Sequence, residues 1–387
     1  MILREAERIA VSGERIAKIA SSFSCVPSGT PVYDLLSELK EPYQHAIAVV
    51  DSDLFVLGII VPQDLVEILG KPFGRDLLKR QKADDIMRKA VSFRCDEYIE
   101  EIQARIAGDL ETELDSRYVL VDRNSRFCGH VSSHDILVHA LADHRREMET
   151  AAAIQNRLVP PCATRRSDRV SITCSAVMAQ EIGGDFYYSK EYAGGKWFFC
   201  LCDISGKGTS AAIITAVVSG FLYDADFSRP LDSLVTSMNT LVLRTFNLEK
   251  YLTGFFARFD EKTGELEYCD MGHSWFYAIE NANIQQITET ADNVPVGLLE
   301  NPSPVTRTLR LAPGTVLAVL SDGFTEQEDT RGSRFEIGEL GPLIQRSVRS
   351  GEDLVRAKIR ILERFYSFKK DMPQHDDISM LLFHYLP

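Results

Sequence analysis

No two of the eight cysteines stand in CxxC spacing, which removes the usual grounds for a thiolate zinc site or a dithiol redox motif. Long apolar runs are missing as well. The longest, AAIITAVVSGFL, has twelve residues, short of the roughly 20 needed to span a bilayer as a helix. The opening MILREAERIAVSGERIAKIA is charged throughout and has no signal-peptide core. Positive charge is in deficit too, with 43 Lys and Arg against 56 Asp and Glu and a net charge of -13. That balance disfavours wrapping a nucleic-acid backbone or lying on an anionic membrane. The string SGKG lacks the GxxxxGK[ST] spacing of a phosphate-binding loop, because Gly208 follows Lys207. These absences lead us to expect a soluble cytoplasmic protein with reduced, mostly buried thiols, and no nucleic-acid or membrane partner.

What is present is enough for more than one core. The chain has 387 residues, 45% of them hydrophobic, and its length suggests two or three domains. The first 140 residues contain an internal repeat. HAIAVVDSD leads into LFVLGIIVPQDLVEIL, and RYVLVDRNS leads into RFCGHVSSHDILVHAL. Asp51 and Asp122, Gly58 and Gly129, and Asp64 and Asp135 are each 71 residues apart, while Cys25 and Cys95 are 70 apart. Each copy reads as a short helix, a strand, a turn, a second strand and a helix.

With its VVD or LVD, then G, then D before an apolar helix, and with the DIM of KADDIMRKAVSF, the unit resembles a CBS domain. The pair resembles a CBS tandem over residues 1–140. That family often binds adenine nucleotides in its clefts. The resemblance places Asp64 and Asp135 as ribose contacts, with Ser132 as a supporting hydroxyl where Val61 stands in the first copy. A chiefly structural or dimerising pair is the alternative, because Ser132 and its neighbours also suit a helix N-terminus.

From 135 to 159 a helical connector is expected. Leu137, Leu141, His144, Met148, Ala151, Gln155 and Leu158 alternate at spacings of four and three, the seam of one helix face. This could support a homodimer or packing onto a neighbouring domain. Pro160 and Pro161 end the helix. From residue 160 the texture changes to strands rich in branched and aromatic residues: VSITCSAV, KWFFCLCDI, LTGFFARFD, ELEYCDMG and TVLAVLSDG. Between and after them, KGTSAAIITAVVSGFLYDA, LDSLVTSMNTLVLRTF and GEDLVRAKIRILERFYSF read as helices. The expected class is a multidomain α/β and α+β protein whose residues 160–387 form a layered catalytic domain.

Four aspartates stand at glycine-marked turns or beside a terminal strand: Asp185 in EIGGDFYY, Asp203 in CDISGKG, Asp322 in VLSDGFTE and Asp376 in HDDIS. Clustered carboxylates repel and gain protons unless cations balance them. Hard divalent ions take oxygen ligands and stabilise phosphoryl transfer. Taken singly, each aspartate is equally a turn residue or a helix cap.

In order, NRLVPP, EIGGDFYY, DISGKGTSAA, the pair Met238–Asn239, LTGFFARFD, MGH, NVPVGLL, LSDGFTE and DDIS resemble the PPM-type metal-dependent serine/threonine phosphatases. The likeness is to the bacterial branch of sporulation and stress-response phosphatases. It implies an α-β-β-α sandwich holding two Mn²⁺ or Mg²⁺ ions. Asp203 would bridge them, Asp185 and the Ile204 carbonyl would serve one, and Asp322 and Asp376 the other. Asp203 and Asp322 would carry the catalysis, Asp377 would play a supporting part, and His273 would be structural or a proton carrier. The implied substrate is a phosphorylated anti-anti-sigma or related STAS-domain protein, and the CBS region would regulate its hydrolysis. A catalytically inactive CBS-containing scaffold and a metal-dependent phosphodiesterase are the competing readings.

Overall fold

A computed structural model of the chain describes residues 3–7, 11–38, 46–107, 116–280, 283–287, 293–350 and 353–387. His45, which opens the first strand-like segment, and Gly351 and Glu352, which open the last expected helix, lie outside the described residues. The chain forms two compact units, Met1–Arg145 and Arg146–Pro387.

The first unit contains two versions of one arrangement. In one, strand Ser24–Pro27 lies parallel to Ile47–Val50, which pairs antiparallel with Val56–Ile60. In the other, Val91–Arg94 lies parallel to Arg117–Val121, which pairs antiparallel with Phe127–Ser132. A helix sits inside each parallel crossover, Val32–Glu38 and Ile99–Ala107, and another follows each third strand, Pro62–Gly70 and Ser133–Leu158. Both antiparallel pairs carry a register shift at equivalent places, Val49/Val50 and Leu120/Val121. A bulge recurring at the repeat spacing marks shared construction.

The two halves also exchange a residue. Ile16 is buried in the second half's core with Phe93, Ile99 and Tyr118, while Ile86, 70 residues later, is buried in the first half's core with Val26, Val32 and Ile47. Each copy's leading segment therefore completes the other copy's core. Gly58 is required where this exchange brings chains close: a Cβ there would lie 2.8 Å from the Arg88 carbonyl.

The second unit is two antiparallel sheets between helices. One sheet orders Asp185–Ala193, Lys196–Ile204, Leu252–Asp260, Glu265–Met271 and Arg307–Arg310. The other orders Asn283–Gln286, Phe276–Glu280, Val316–Leu320, Ile378–Tyr385, Val170–Val177 and Cys162–Arg166. Side chains alternate across a strand, and WFFCLC shows both faces in use. Phe198 stacks on Phe227 at 4.3 Å, on the side of helices Thr209–Asp224 and Leu231–Phe246, whereas Phe199 stacks on Phe383 of the opposite sheet at 5.3 Å. A strand covered on both sides reads as an unbroken apolar run. Helices Leu340–Arg349 and Leu354–Lys369 cover the outer face of the six-stranded sheet through Ile344, Ile361 and Phe365. The unit is thus an α-β-β-α sandwich.

The connector residues expected to share a face divide. Gln155 is buried and its amide Nε2 donates to the Gly183 carbonyl at 2.8 Å, whereas Leu137 and Leu141 are exposed. A polar side chain with two backbone partners, the second being the Gly183 N–H at 3.2 Å, pairs locally and drops out of an apolar seam. Among the described residues, no helix is long and apolar enough to cross a membrane.

Candidate metal centre

Both sheets deliver carboxylates to one edge of the sandwich. Asp185 opens its strand directly opposite Asp203, near the end of the neighbouring strand. Val316–Leu320 and Ile378–Tyr385 are paired neighbours in the other sheet, so the turns carrying Asp322 and Asp376 also lie side by side. Those turns are tied together. The Ser321 N–H donates to the Ser379 carbonyl at 2.9 Å, the Ser379 N–H to Ser321 Oγ at 2.8 Å, and Ser321 Oγ to the Asp377 carbonyl at 3.2 Å. Behind Asp322, Phe324 is fully buried edge-on against Phe365, which anchors the short helix Gly323–Glu326.

Close backbone approach holds the other side of the cluster. A Cβ on Gly184 would lie 2.6 Å from the Ile204 carbonyl oxygen and 3.1 Å from that of Gly206. The Ile204 N–H in turn donates to the Gly184 carbonyl at 3.2 Å. Gly206 has φ +91°, a left-handed conformation that suits glycine.

Adjacent in sequence, Asp376 and Asp377 serve opposite ends. Asp377 is buried, accepting from the N–H groups of Ala179 and Gly184, both at 2.6 Å. It clamps the 179–184 loop. Asp376 is half-exposed, and Lys207 Nζ stands 2.9 Å from its Oδ1 while donating to the His375 carbonyl at 3.0 Å. No local pattern encodes this pairing, because Lys207 and His375 are 168 residues apart.

Burial first, then the charges of Asp322, Asp376 and Asp377, pushes Asp203 up to about 7, with Lys207 acting against them. Asp185 is raised well above the usual carboxylate value by burial, then by Asp203 and Asp377. Asp322 is raised by burial, then by Glu326 and Asp376. Asp185 Oδ2 is buried and takes no hydrogen bond. An orphaned carboxylate oxygen among oxygen donors, in a patch that resists ionisation, fits a hard divalent cation. The four aspartates do not close into a tight triad. Among the described residues, the group of three whose ligand atoms all lie within 4.8 Å of one another is Glu14, His139 and Asp143, in the first unit.

His273 is buried with Nε2 unpartnered, and burial pushes it down to about 4, the Leu320 carbonyl acting the other way. Its N–H donates to Asp270 Oδ1 at 2.7 Å, so Asp270 shapes the MGHSW turn. Asn239 pins the NVPVGLL segment, accepting from the Gly297 N–H and donating to the Leu299 carbonyl, each at 2.7 Å.

In the first unit, Asp64 pairs with the Arg88 guanidinium and faces a cavity of about 250 Å³ that Glu67, Gln81 and Asp85 also line. Asp135 is otherwise engaged. Its Oδ2 accepts from the Ser132 N–H at 2.8 Å, Ser132 Oγ at 2.6 Å and Ser21 Oγ at 2.8 Å, while Ser132 Oγ accepts from the Asp135 N–H at 3.1 Å. Ser132 and Asp135 thus form a reciprocal helix cap.

The α-β-β-α sandwich with carboxylates at one edge gives the second unit the fold of the PPM-type phosphatases. The model of the Stage II sporulation protein E (SpoIIE) family matches residues 193–386, half of the chain, and the protein belongs to that family. Asp203, Asp322 and Asp376 fall inside the matched span, and Asp185 precedes it. The SiaA-PP2C domain of Pseudomonas aeruginosa is similar at 18% identity and a TM-score of 0.53, over 64% of this chain and 98% of that one. This likeness is one of fold. The RsbU and RsbW domains of Rv1364c from Mycobacterium tuberculosis give 19% identity and a TM-score of 0.47, over 59% and 62% of the two chains. The phosphatase domain and regulatory fragment of SpoIIE from Bacillus subtilis give 15% and 0.45, over 57% and 65%. No curated protein matches the chain.

Proposed function

We propose that the protein removes phosphate from phosphoserine or phosphothreonine in an anti-anti-sigma or related STAS-domain protein. Two Mn²⁺ or Mg²⁺ ions would be held by Asp185, the Ile204 carbonyl, Asp203, Asp322 and Asp376. The observation that carries this reading is the convergence of chain-distant carboxylates from two sheets into one partly buried patch, where Asp203 resists ionisation. When bound, such ions polarise a phosphoryl oxygen and activate water. The chain's own residues prepare the place. Asp377 fixes the loop before Asp185, Gly184 leaves the Ile204 carbonyl uncovered by a side chain, and Lys207 puts a positive charge beside Asp376.

Residues 1–140 act in this proposal as a CBS regulatory pair, 135–159 as the connector and 160–387 as the phosphatase domain of a cytoplasmic homodimer. The recurring strand order and bulges support the CBS reading. The exposed Leu137, Val138 and Leu141 support a dimer. An adenine nucleotide would be taken beside Asp64, where Arg88 offers a cation, in preference to Asp135, whose carboxylate is occupied by Ser132 and Ser21.

The test is hydrolysis by the full chain with Mn²⁺ against phosphoserine STAS proteins, nucleotides and phosphodiesters in parallel. Turnover confined to the phosphoproteins, and lost in Asp203→Asn and Asp322→Asn, is expected. Full activity in both variants, or turnover of phosphodiesters alone, defeats the proposal. Calorimetry with AMP, ADP and ATP, compared between the wild type and Asp64→Ala, tests the nucleotide site.

A further inference from the structure

Seven of the eight cysteines are buried, and the exposed one, Cys162, opens the edge strand Cys162–Arg166 of the six-stranded sheet. Lys358 lies on helix Leu354–Lys369 and is only 7% exposed. Its Nζ stands 2.6 Å from Cys162 Sγ. Among the described residues, no carboxylate or carbonyl shares a hydrogen bond or ion pair with that ammonium. A buried lysine ordinarily requires an oxygen partner, and here its hydrogen-bond partner among the described residues is the Cys162 sulfur. Nitrogen and sulfur are in direct contact, so a bridge of one atom asks only for side-chain adjustment between strand and helix.

We propose that Cys162 and Lys358 are a modification site at which peroxide forms a covalent S–O–N cross-link. One peroxide oxidises the Cys162 thiol to sulfenic acid and is reduced to water. A second oxidises the Lys358 amine, after its ammonium proton passes to solvent, to a hydroxylamine, again releasing water. The sulfenic acid and the hydroxylamine then condense, losing a third water and leaving Cys–S–O–NH–Lys. Sulfur and nitrogen each give up two electrons, matching two peroxide O–O bonds broken. The product weighs one oxygen more and two hydrogens less than the parent pair. Exposure of Cys162 admits the oxidant, and burial of Lys358 holds the amine in place.

The test treats the full-length protein with graded hydrogen peroxide, digests it without reductant and maps peptides by mass spectrometry. The expected result is a dose-dependent peptide pair joining Cys162 to Lys358 with that mass change, returned to thiol and amine by excess dithiol. Cys162→Ser, at an exposed edge, and Lys358→Arg, which keeps the charge, should each lower the linked species at least tenfold. Lys358→Met serves if the arginine does not fit. Sulfinic acid at Cys162 with an unmodified Lys358 at every dose overturns the proposal. So does a link lacking the oxygen, or one that survives in Cys162→Ser.

Discussion

Asp203→Asn keeps the side chain's size and removes a charge from the carboxylate patch, so it tests the electrostatic account directly. In the wild type the carboxyl is pushed from 3.8 to about 7 on folding. Between those values the folded state holds more protons than the unfolded one, and unfolding free energy therefore falls as pH rises. Each tenfold change in proton affinity is about 1.4 kcal/mol, which sets a ceiling of about 4 kcal/mol on the cost of ionising Asp203 in metal-free protein. Coupling to the neighbouring carboxylates and to Lys207 brings the working expectation to roughly 2–4 kcal/mol. Asparagine does not ionise. In chelator at pH 8 the variant should melt above the wild type by about 5–10 °C, and at pH 5 the gap should shrink by more than half. His273, pushed down to about 4 by burial, works the other way, since its stabilising neutral form is lost as pH falls, but it is present in both proteins and cancels in the difference. Saturating Mn²⁺ at a hundredfold over its dissociation constant should add about 2.7 kcal/mol to the wild type and far less to the variant. Scanning calorimetry at the two pH values, with and without Mn²⁺, reads all four conditions. If the metal-free variant melts no higher than the wild type at pH 8, or gains as much from Mn²⁺, the reasoning is wrong.

Gly184→Ala places a Cβ 2.6 Å from the Ile204 carbonyl oxygen. It should cost about 1–3 kcal/mol in urea unfolding and weaken the stabilisation by Mn²⁺. Asp377→Ala strips the N–H groups of Ala179 and Gly184 of their acceptor; a loss of roughly 2–5 kcal/mol is expected from the same measurement. Lys207→Gln frees Asp376 from a half-exposed ion pair. Because such pairs are worth up to about 1 kcal/mol, titration calorimetry should show Mn²⁺ binding tightened by no more than about fivefold.

The strands legible in the sequence were those covered on both faces or alternating cleanly, KWFFCLCDI and LTGFFARFD above all. Three of those it concealed sit at sheet edges. DFYYSKEYA is buried only over its first residues, and the RTLR and CATRR segments are largely exposed. An edge strand has little need of apolar side chains, so composition gives it away poorly. Helix Leu340–Arg349 was hidden because its opening turn contains Gly341 and Pro342, which read as a break. The aspartate set stood out because Asp185, Asp203 and Asp322 lie at glycine-marked turns and Asp376 lies beside the terminal strand. The division of labour between Asp376 and Asp377 was decided by loop amides nearly two hundred residues away, which no local pattern encodes.

The repeat kept its buried positions and let its polar ones diverge. Ile16 and Ile86 still complete each other's cores, and both bulges survive, because a lost methylene or a shifted register would be felt at once in a packed interior. The two aspartates had no such constraint. The exchanged segment that reaches Asp64 brings Arg88, whereas the one that reaches Asp135 brings Ser21. Lys18, which stands at the repeat position of Arg88, pairs with Glu14 instead. One site therefore keeps a cation beside an aspartate with an unpartnered, buried Oδ2, and the other has become a satisfied helix cap. A carboxylate and a guanidinium therefore stand together at the first of the two positions, while at the second the same carboxylate serves the start of its own helix.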